Sequence, residues 1–344
     1  MTSVKRVLIV LCLTVGMTGM VFASGAKESS ATSAAQPLRI AMVVKSLGNG
    51  FFDAARDGGN EAAKQIGNVQ LIYQGPSTPT AEGQISIINA LIAQKVDAIE
   101  ISANDPDALV PITKKAMAAG IKVISFDSGI AAAGRMLHLA PSNDEFIGRS
   151  EVQMMGELIG YKGDIAILSA SSQATNQNTW IKYMKEELSL PKYKDMKLVS
   201  VVYGDDLSDK SYREAMGLFK SYPNLKGIIS PTTVGMAATG KAIEDAGLQG
   251  KVLLTGLGLP SEMKQYILDG TCPKMELWNP IDLGYSATMI AYDLIKDKTT
   301  SVSPGDTFAA GRMGTITVGA DNVAVMGKPF VFDKTNIDKY AAIY

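Results

Sequence analysis

Cysteine and histidine are almost missing: the 344 residues hold two Cys, Cys12 and Cys272, and a single His, His138. No zinc-type cluster can be assembled from these, and Asp and Glu do not recur at calcium-loop spacing, so neither a metal nor another cofactor is expected. His138 lies in the apolar run Met136-Leu137-His138-Leu139 and reads as a packed strand residue. Charge is sparse and balanced, 33 Lys+Arg against 34 Asp+Glu, with no basic block. Phosphate backbones are bound by clustered Lys and Arg, which excludes nucleic acid as a partner. Gly-x-Ser-x-Gly is absent, and with it the common nucleophile elbow. Gly235-Met-Ala-Ala-Thr-Gly240-Lys241-Ala242 has phosphate-loop spacing, but Ala242 stands where a magnesium-binding Ser or Thr is required, and the segment reads as helix interior. Gly256-Leu-Gly258-Leu-Pro-Ser261 follows a strand, yet Pro260 brings no N–H to a would-be pyrophosphate.

What is present begins with a processing segment. Lys5 and Arg6 precede an apolar run over residues 7–15, and Val21-Phe22-Ala23 supplies a cleavage site before Ser24, so residues 1–23 read as a secretory signal peptide. Gly16, Thr18 and Gly19 break the run before the ~20 apolar residues of a membrane span. Cys12 sits inside the apolar run after Leu11, a poor position for a lipoprotein's acylated cysteine. Cleavage would leave Cys272 as the lone thiol, so no internal disulfide is expected. Residues 24–36 are small and polar and read as a flexible tether.

From residue 38 short β-branched runs alternate with amphipathic stretches. Strands are predicted over 38–44, 69–73, 98–102 and 122–127, with helices over 51–66, 81–94 and 106–119 between them. A second series follows, with strands over 165–168, 198–202, 227–229, 252–254 and 275–277 and helices over 144–159, 176–187, 211–221, 235–246 and 261–268. A long helix over 282–296 and a Gly-rich, β-rich tail close the chain, with strands over 315–318 and 330–332. Apolar strands alternating with helices predict an α/β fold of two doubly wound parallel-sheet lobes. Ligands of such sheets lie beyond the carboxyl ends of the strands, which directs attention to the loops after Val44, Ser102, Phe126, Leu168, Ile229 and Leu254.

Those loops hold groups suited to a neutral polyhydroxylated ligand. Lys45 follows the first strand, and Phe51 and Phe52 offer rings that can cover the C–H face of a sugar. Asp127 ends an apolar strand, where its carboxylate can accept two hydroxyl hydrogen bonds. Asn176, Gln177 and Asn178 supply amide donors and acceptors, and Trp180 and Trp278 supply further rings. A glycosidase would need two positioned carboxylates, and only Asp127 is placed at a strand end. A transcriptional regulator would need an N-terminal helix-turn-helix where the signal segment stands.

Lys45-Ser46-Leu47-Gly48-Asn49-Gly50-Phe51-Phe52, Ser125-Phe126-Asp127-Ser128, Thr175-Asn176-Gln177-Asn178-Thr179-Trp180, Pro231-Thr232-Thr233-Val234-Gly235 and Leu277-Trp278-Asn279-Pro280 together resemble the type I periplasmic solute-binding proteins of ABC importers. Within them the chain is similar to the rhamnose-binding and autoinducer-2-binding (LsrB-like) branch, and the likeness runs to Asn336-Ile337-Asp338-Lys339-Tyr340. The resemblance implies two lobes joined by a three-crossover hinge, the first formed by residues 37–142 and 279–310, the second by 143–278 and 311–344. It implies ligand contacts at Lys45, Phe51, Phe52, Asp127, Asn176, Gln177, Pro231, Thr233 and Trp278 and no catalytic residues. Asn176 stands where autoinducer-2 receptors carry Asp, Thr233 where they carry Ala, and Gly129 where a second acidic residue often follows. The forms present look more like those of the rhamnose-type sugar binders, so a sugar is expected, with autoinducer-2 as the alternative. The resemblance further implies a periplasmic monomer serving a membrane permease. Import and signalling to a chemoreceptor both stay open.

Overall fold

The computed structural model describes residues 36–344. The predicted signal segment, and the tether up to its last residue, lie outside the described residues. From residue 38 the chain builds two lobes in turn. The first contains β1 (Leu38–Val43), α1 (Gly50–Ile66), β2 (Val69–Gln74), α2 (Ala81–Ala93), β3 (Ala98–Ile101), α3 (Val110–Ala118), β4 (Lys122–Phe126) and β5 (Leu137–Ala140). The second contains α4 (Asp144–Ile159), β6 (Lys162–Ser169), α5 (Thr175–Leu188), β7 (Asp195–Tyr203), α6 (Ser208–Ser221), β8 (Leu225–Ser230), α7 (Thr233–Asp245), β9 (Leu253–Gly256), α8 (Pro260–Leu268) and β10 (Lys274–Leu277). The remainder returns to both: α9 (Pro280–Lys296), β11 (Thr307–Ala309), β12 (Thr315–Thr317), β13 (Val323–Val325), β14 (Phe330–Asp333) and α10 (Ile337–Tyr340).

The first sheet has six strands in the order β13-β5-β4-β3-β1-β2, each pair parallel. Its strands are apolar on both faces because helices cover both. Along β1, Ile40 and Met42 join the core shared with α1 and α9, while Ala41 and Val43 join a separate core under α2 and α3. The second sheet runs β7-β6-β8-β9, all parallel. A parallel bridge from Leu257 to Glu276 continues it to β10, and β14 lies antiparallel beside β10. Within each lobe the second strand in sequence flanks the first and the third lies on the other side. That order leaves a crevice between the carboxyl ends of β1 and β3, and another between those of β6 and β8, where ligands of such sheets lie.

Three helix starts, two of them at lobe crossovers, are fixed by asparagine caps. Asn49, Asn143 and Asn279 accept from the backbone N–H of Phe51, Phe146 and Ile281 at 3.0, 2.9 and 2.9 Å, opening α1, α4 and α9. α1 and α9 pack backbone to backbone: a Cβ at Gly58 would lie 1.8 Å from the Ile281 carbonyl oxygen, and one at Gly284 1.9 Å from that of Ala55. The contact therefore requires glycine on both helices.

Two expectations are corrected. The helix predicted over 106–119 starts at Val110, because the Asp105 carboxylate accepts from the backbone N–H of Asp107 and Ala108 at 2.9 and 2.8 Å and holds those residues in a turn. Residues 311–325, expected in the second lobe, pack with the first. Gly311 lies against the Tyr285 ring of α9, β11 and β12 form a hairpin, and Val323, Ala324 and Val325 pair with His138, Leu139 and Ala140 of β5. The last crossover accordingly lies between β13 and β14, over residues 326–329, and not near Gly311.

Candidate ligand-binding site

The carboxyl ends of both sheets face a single cavity holding about 370 Å3 of space not filled by protein atoms, part of it open to solvent. All nine sequence-predicted residues line it. Lys45 follows β1, Phe51 and Phe52 open α1, Asp127 follows β4, Asn176 and Gln177 lie in the first turn of α5, Pro231 and Thr233 follow β8, and Trp278 follows β10.

Asp127 has φ +57, a left-handed conformation that Asp tolerates and that turns its carboxylate off the strand end. Oδ2 accepts from Ser102 Oγ at 2.7 Å, at the end of β3. Lys45 Nζ lies 3.9 Å from the same oxygen, both side chains being buried. Burial pushes the Asp127 carboxyl up, the Lys45 charge and the Ser102 bond work against this, and Asp206 adds to it.

Asn176 links the lobes. Its Oδ1 accepts from Lys45 Nζ at 3.4 Å and from Ser128 Oγ at 3.3 Å, and its Nδ2 donates to Asp127 Oδ1 at 3.3 Å. The same oxygen accepts from the Gln177 backbone N–H at 2.9 Å. Asn176 lies within the helix; the N-cap is Ala174, which makes no side-chain cap bond. Gln177 Oε1 accepts from Ser169 Oγ at 2.6 Å and from the Ala170 N–H at 2.8 Å. With that oxygen spent on holding α5 to β6, its NH2 is the end left for a ligand.

Four aromatic rings also line the cavity. Phe51 meets Phe52 edge-on at 5.2 Å and Trp278 edge-on at 6.1 Å, and Trp278 meets Trp180 at 5.9 Å. The rings thus form a chain from the first lobe through a crossover residue to the second. Trp180 is locked by its indole N–H donating to Asp144 at 2.7 Å, while the buried indole N–H of Trp278 has no protein partner.

Asp206 also lines this cavity and was not singled out from the sequence. It belongs to the loop after β7, the strand end omitted when the functional loops were chosen. Asp205 and Asp206 in succession at φ +53 bend that loop inward, and Thr232 Oγ1 donates to the Asp206 carboxylate. The legible signal was an Asp pair directly after a strand. Thr232 is itself the N-cap of α7, yet its side chain makes no cap bond; the hydroxyl serves Asp206 instead. Asn49, Trp180, Thr232, Leu257 and Leu277 complete the lining beyond the predicted nine and Asp206.

The other sequence candidates lie elsewhere. His138 sits in β5 with Nδ1 3.0 Å from Ser125 Oγ, and burial, then Arg135, push its pKa down to about 3. Gly235 to Ala242 lie inside α7, so the phosphate-loop spacing there is helix interior. Cys272 is buried and free. Among the described residues no group of three or more His, Cys, Asp or Glu can hold a metal, and no helix is long and apolar enough to cross a membrane.

A family profile described as a periplasmic binding protein domain matches residues 40–299. The chain belongs to the periplasmic binding protein family. Proteins of this family are extracytoplasmic. This binding protein is similar to the crystal structure of an ABC transporter solute-binding protein from Clostridium phytofermentas with bound L-rhamnose. The identity is 38% and the TM-score 0.85, with 90% of this chain and 99% of that one covered. It is 29% identical over 241 residues to a D-ribose/D-allose-binding protein of Pseudomonas aeruginosa, spanning 67% of this chain and 74% of the relative. LsrB from Clostridium saccharobutylicum in complex with AI-2 shares the fold at 23% identity and TM-score 0.83, covering 88% of this chain and 99% of that one.

Proposed function

We propose that this chain is the extracytoplasmic substrate-binding component of an ABC importer, taking a neutral sugar, a rhamnose-type deoxyhexose, between its lobes and delivering it to the membrane permease. The observation that carries this reading is the mixed lining of the cavity. Charged and amide groups from both lobes share one cavity with a continuous chain of rings. Hydroxyls of a single sugar ring satisfy the polar groups, and its C–H faces lie on the rings. The 38% identity to a rhamnose-bound protein over nearly the whole chain supports the same ligand class. The autoinducer-2 alternative has support in kind from Lys45, Asp127, Gln177 and Pro231. It lacks an acidic residue at position 176, and its structural relative speaks for the fold alone.

On this reading residues 1–23 direct export to the periplasm and are removed near Ala23. The protein acts as a monomer with no catalytic residue and no cofactor, and the lobes close by rotation about the crossovers. The test is a thermal-shift screen of the exported form against deoxyhexoses, hexoses, pentoses and autoinducer-2, with product analysis for turnover. A ligand at 100 times its Kd adds about 2.7 kcal/mol to stability. Stabilisation by L-rhamnose without chemical change is expected; stabilisation by autoinducer-2 alone, or conversion of the sugar, would overturn the proposal.

A further inference from the structure

The cavity holds one cationic side chain, Lys45, and two carboxylates, Asp127 and Asp206. The Lys45 charge reaches both, so its attraction is already committed within the protein. No arginine is among the residues lining the cavity. Counted formally, the polar groups carry one negative charge in excess and are rich in acceptors; burial pushes both carboxyls up and the Lys45 charge works against this. Asn176, which presents the remaining carbonyl oxygen, is engaged in joining the lobes through Lys45, Ser128 and Asp127.

Asp206 is held for a purpose other than loop structure. Its neighbour Asp205 is paired outward with Lys210, whereas Asp206 turns to the cavity with both residues in the left-handed region. The Thr232 hydroxyl, which an N-cap position would ordinarily turn to the helix, is spent on that carboxylate. Backbone conformation and a diverted cap hydroxyl both act to fix one negative charge at the wall.

We infer that Asp206 is a ligand-contacting residue of the second lobe which, with Asp127, makes the pocket selective for uncharged sugars rich in hydroxyl donors and turns away sugars bearing a carboxylate or phosphate. The inference rests on the sugar-binding proposal and adds to it the residue that decides charge class. A ligand hydroxyl donates to the Asp206 carboxylate, while an anionic substituent enters a site with no uncommitted cation. Unit charges a few ångströms apart repel strongly at protein-like dielectric, so the discrimination is large.

L-Rhamnose and L-mannuronate test this, because they differ only at C-6, methyl against carboxylate. Calorimetric titration of the exported protein is expected to give binding of the first and at least about a hundredfold weaker binding of the second. In Asp206→Asn, which keeps the side-chain shape, rhamnose affinity falls about tenfold or more, and the rhamnose-to-mannuronate ratio falls at least about tenfold. Thr232→Val leaves the charge and removes its tether; it weakens rhamnose binding while mannuronate stays excluded. Should Asp206→Asn fail to fold, judged by circular dichroism, this second variant decides: wild-type affinity for rhamnose overturns the inference. An Asp206→Asn protein with rhamnose affinity within threefold of wild type and an unchanged ratio overturns it also, leaving the sugar proposal standing. Wild-type protein that binds no sugar overturns both.

Discussion

Replacing Asp127 by Asn removes one charge from the cavity while keeping the side-chain outline. The left-handed backbone at this position, φ +57, is tolerated by Asn and disfavoured for Ala, so the Asn variant reads the carboxylate without a conformational penalty. The carboxylate is set by Ser102 Oγ at 2.7 Å, Asn176 Nδ2 at 3.3 Å and Lys45 Nζ at 3.9 Å. In the variant one oxygen becomes an NH2, which opposes either Ser102 and Lys45 or the incoming ligand. A hydrogen bond to a charged group contributes about 1.5–3 kcal/mol against about 0.5–1.5 for a neutral one, and an unpaired buried donor costs about as much again. For two ligand hydroxyls on this carboxylate the expected loss is about 2–4 kcal/mol, or about 30- to 1,000-fold in Kd. Folding is expected to survive, because Lys45 retains Asp206 as a counter-charge. Calorimetry with L-rhamnose reads the loss. A Kd within threefold of wild type would show that Asp127 only closes the strand-end turn, and would refute the reasoning.

Three further outcomes are expected. Glu100, buried in β3 with Oε2 accepting from Thr288 at 3.3 Å and the other oxygen unpartnered, is pushed up to about 8 chiefly by burial. The folded protein therefore holds a proton that the unfolded chain releases near pH 4.5, and stability falls as pH rises from there to about 8. Glu100→Gln should flatten this slope in urea unfolding and add on the order of 3 kcal/mol at pH 7; an unchanged slope would assign it to other groups. Asn176→Asp places a third carboxylate beside Asp127 and Lys45, and paired titrations should show the preference for rhamnose over autoinducer-2 narrowed or reversed. Small-angle scattering should show compaction on saturation with the sugar; an unchanged radius of gyration would count against rotation of the lobes.

Much of the architecture was readable from periodicity, and the failures have specific causes. The helix predicted over 144–159 matches α4 at both bounds, where an Asn143 cap, the helix face and a Gly160 terminator agree. β11 and β13 are three-residue strands too short to show a period of their own, while β12, equally short, falls within the alternating run predicted over 315–318. The placing of residues 311–325 in the second lobe comes from the resemblance, and pairing of β13 with β5 corrects it. At the site, Lys45, Phe51 and Asp127 were visible as polar or aromatic groups at the ends of apolar strands. Asp206 was not, since its place depends on two left-handed residues and a tertiary bond to Thr232. Likewise nothing local to Asn176 tells that its side chain is spent on Lys45, Ser128 and Asp127 of the other lobe.

The late return of the chain has a kinetic consequence. Arg135 beside β5 bonds the carbonyl of Asn322, 187 residues onward, and β10 waits for β14 as its antiparallel partner. The first sheet is incomplete until β13 has been made, and β10 is without its partner until β14 has. Pairings of such separation must pay loop closure before they gain contacts, which slows folding. A growing chain that has not yet reached β13 and β14 therefore lacks the pairings that close both sheets.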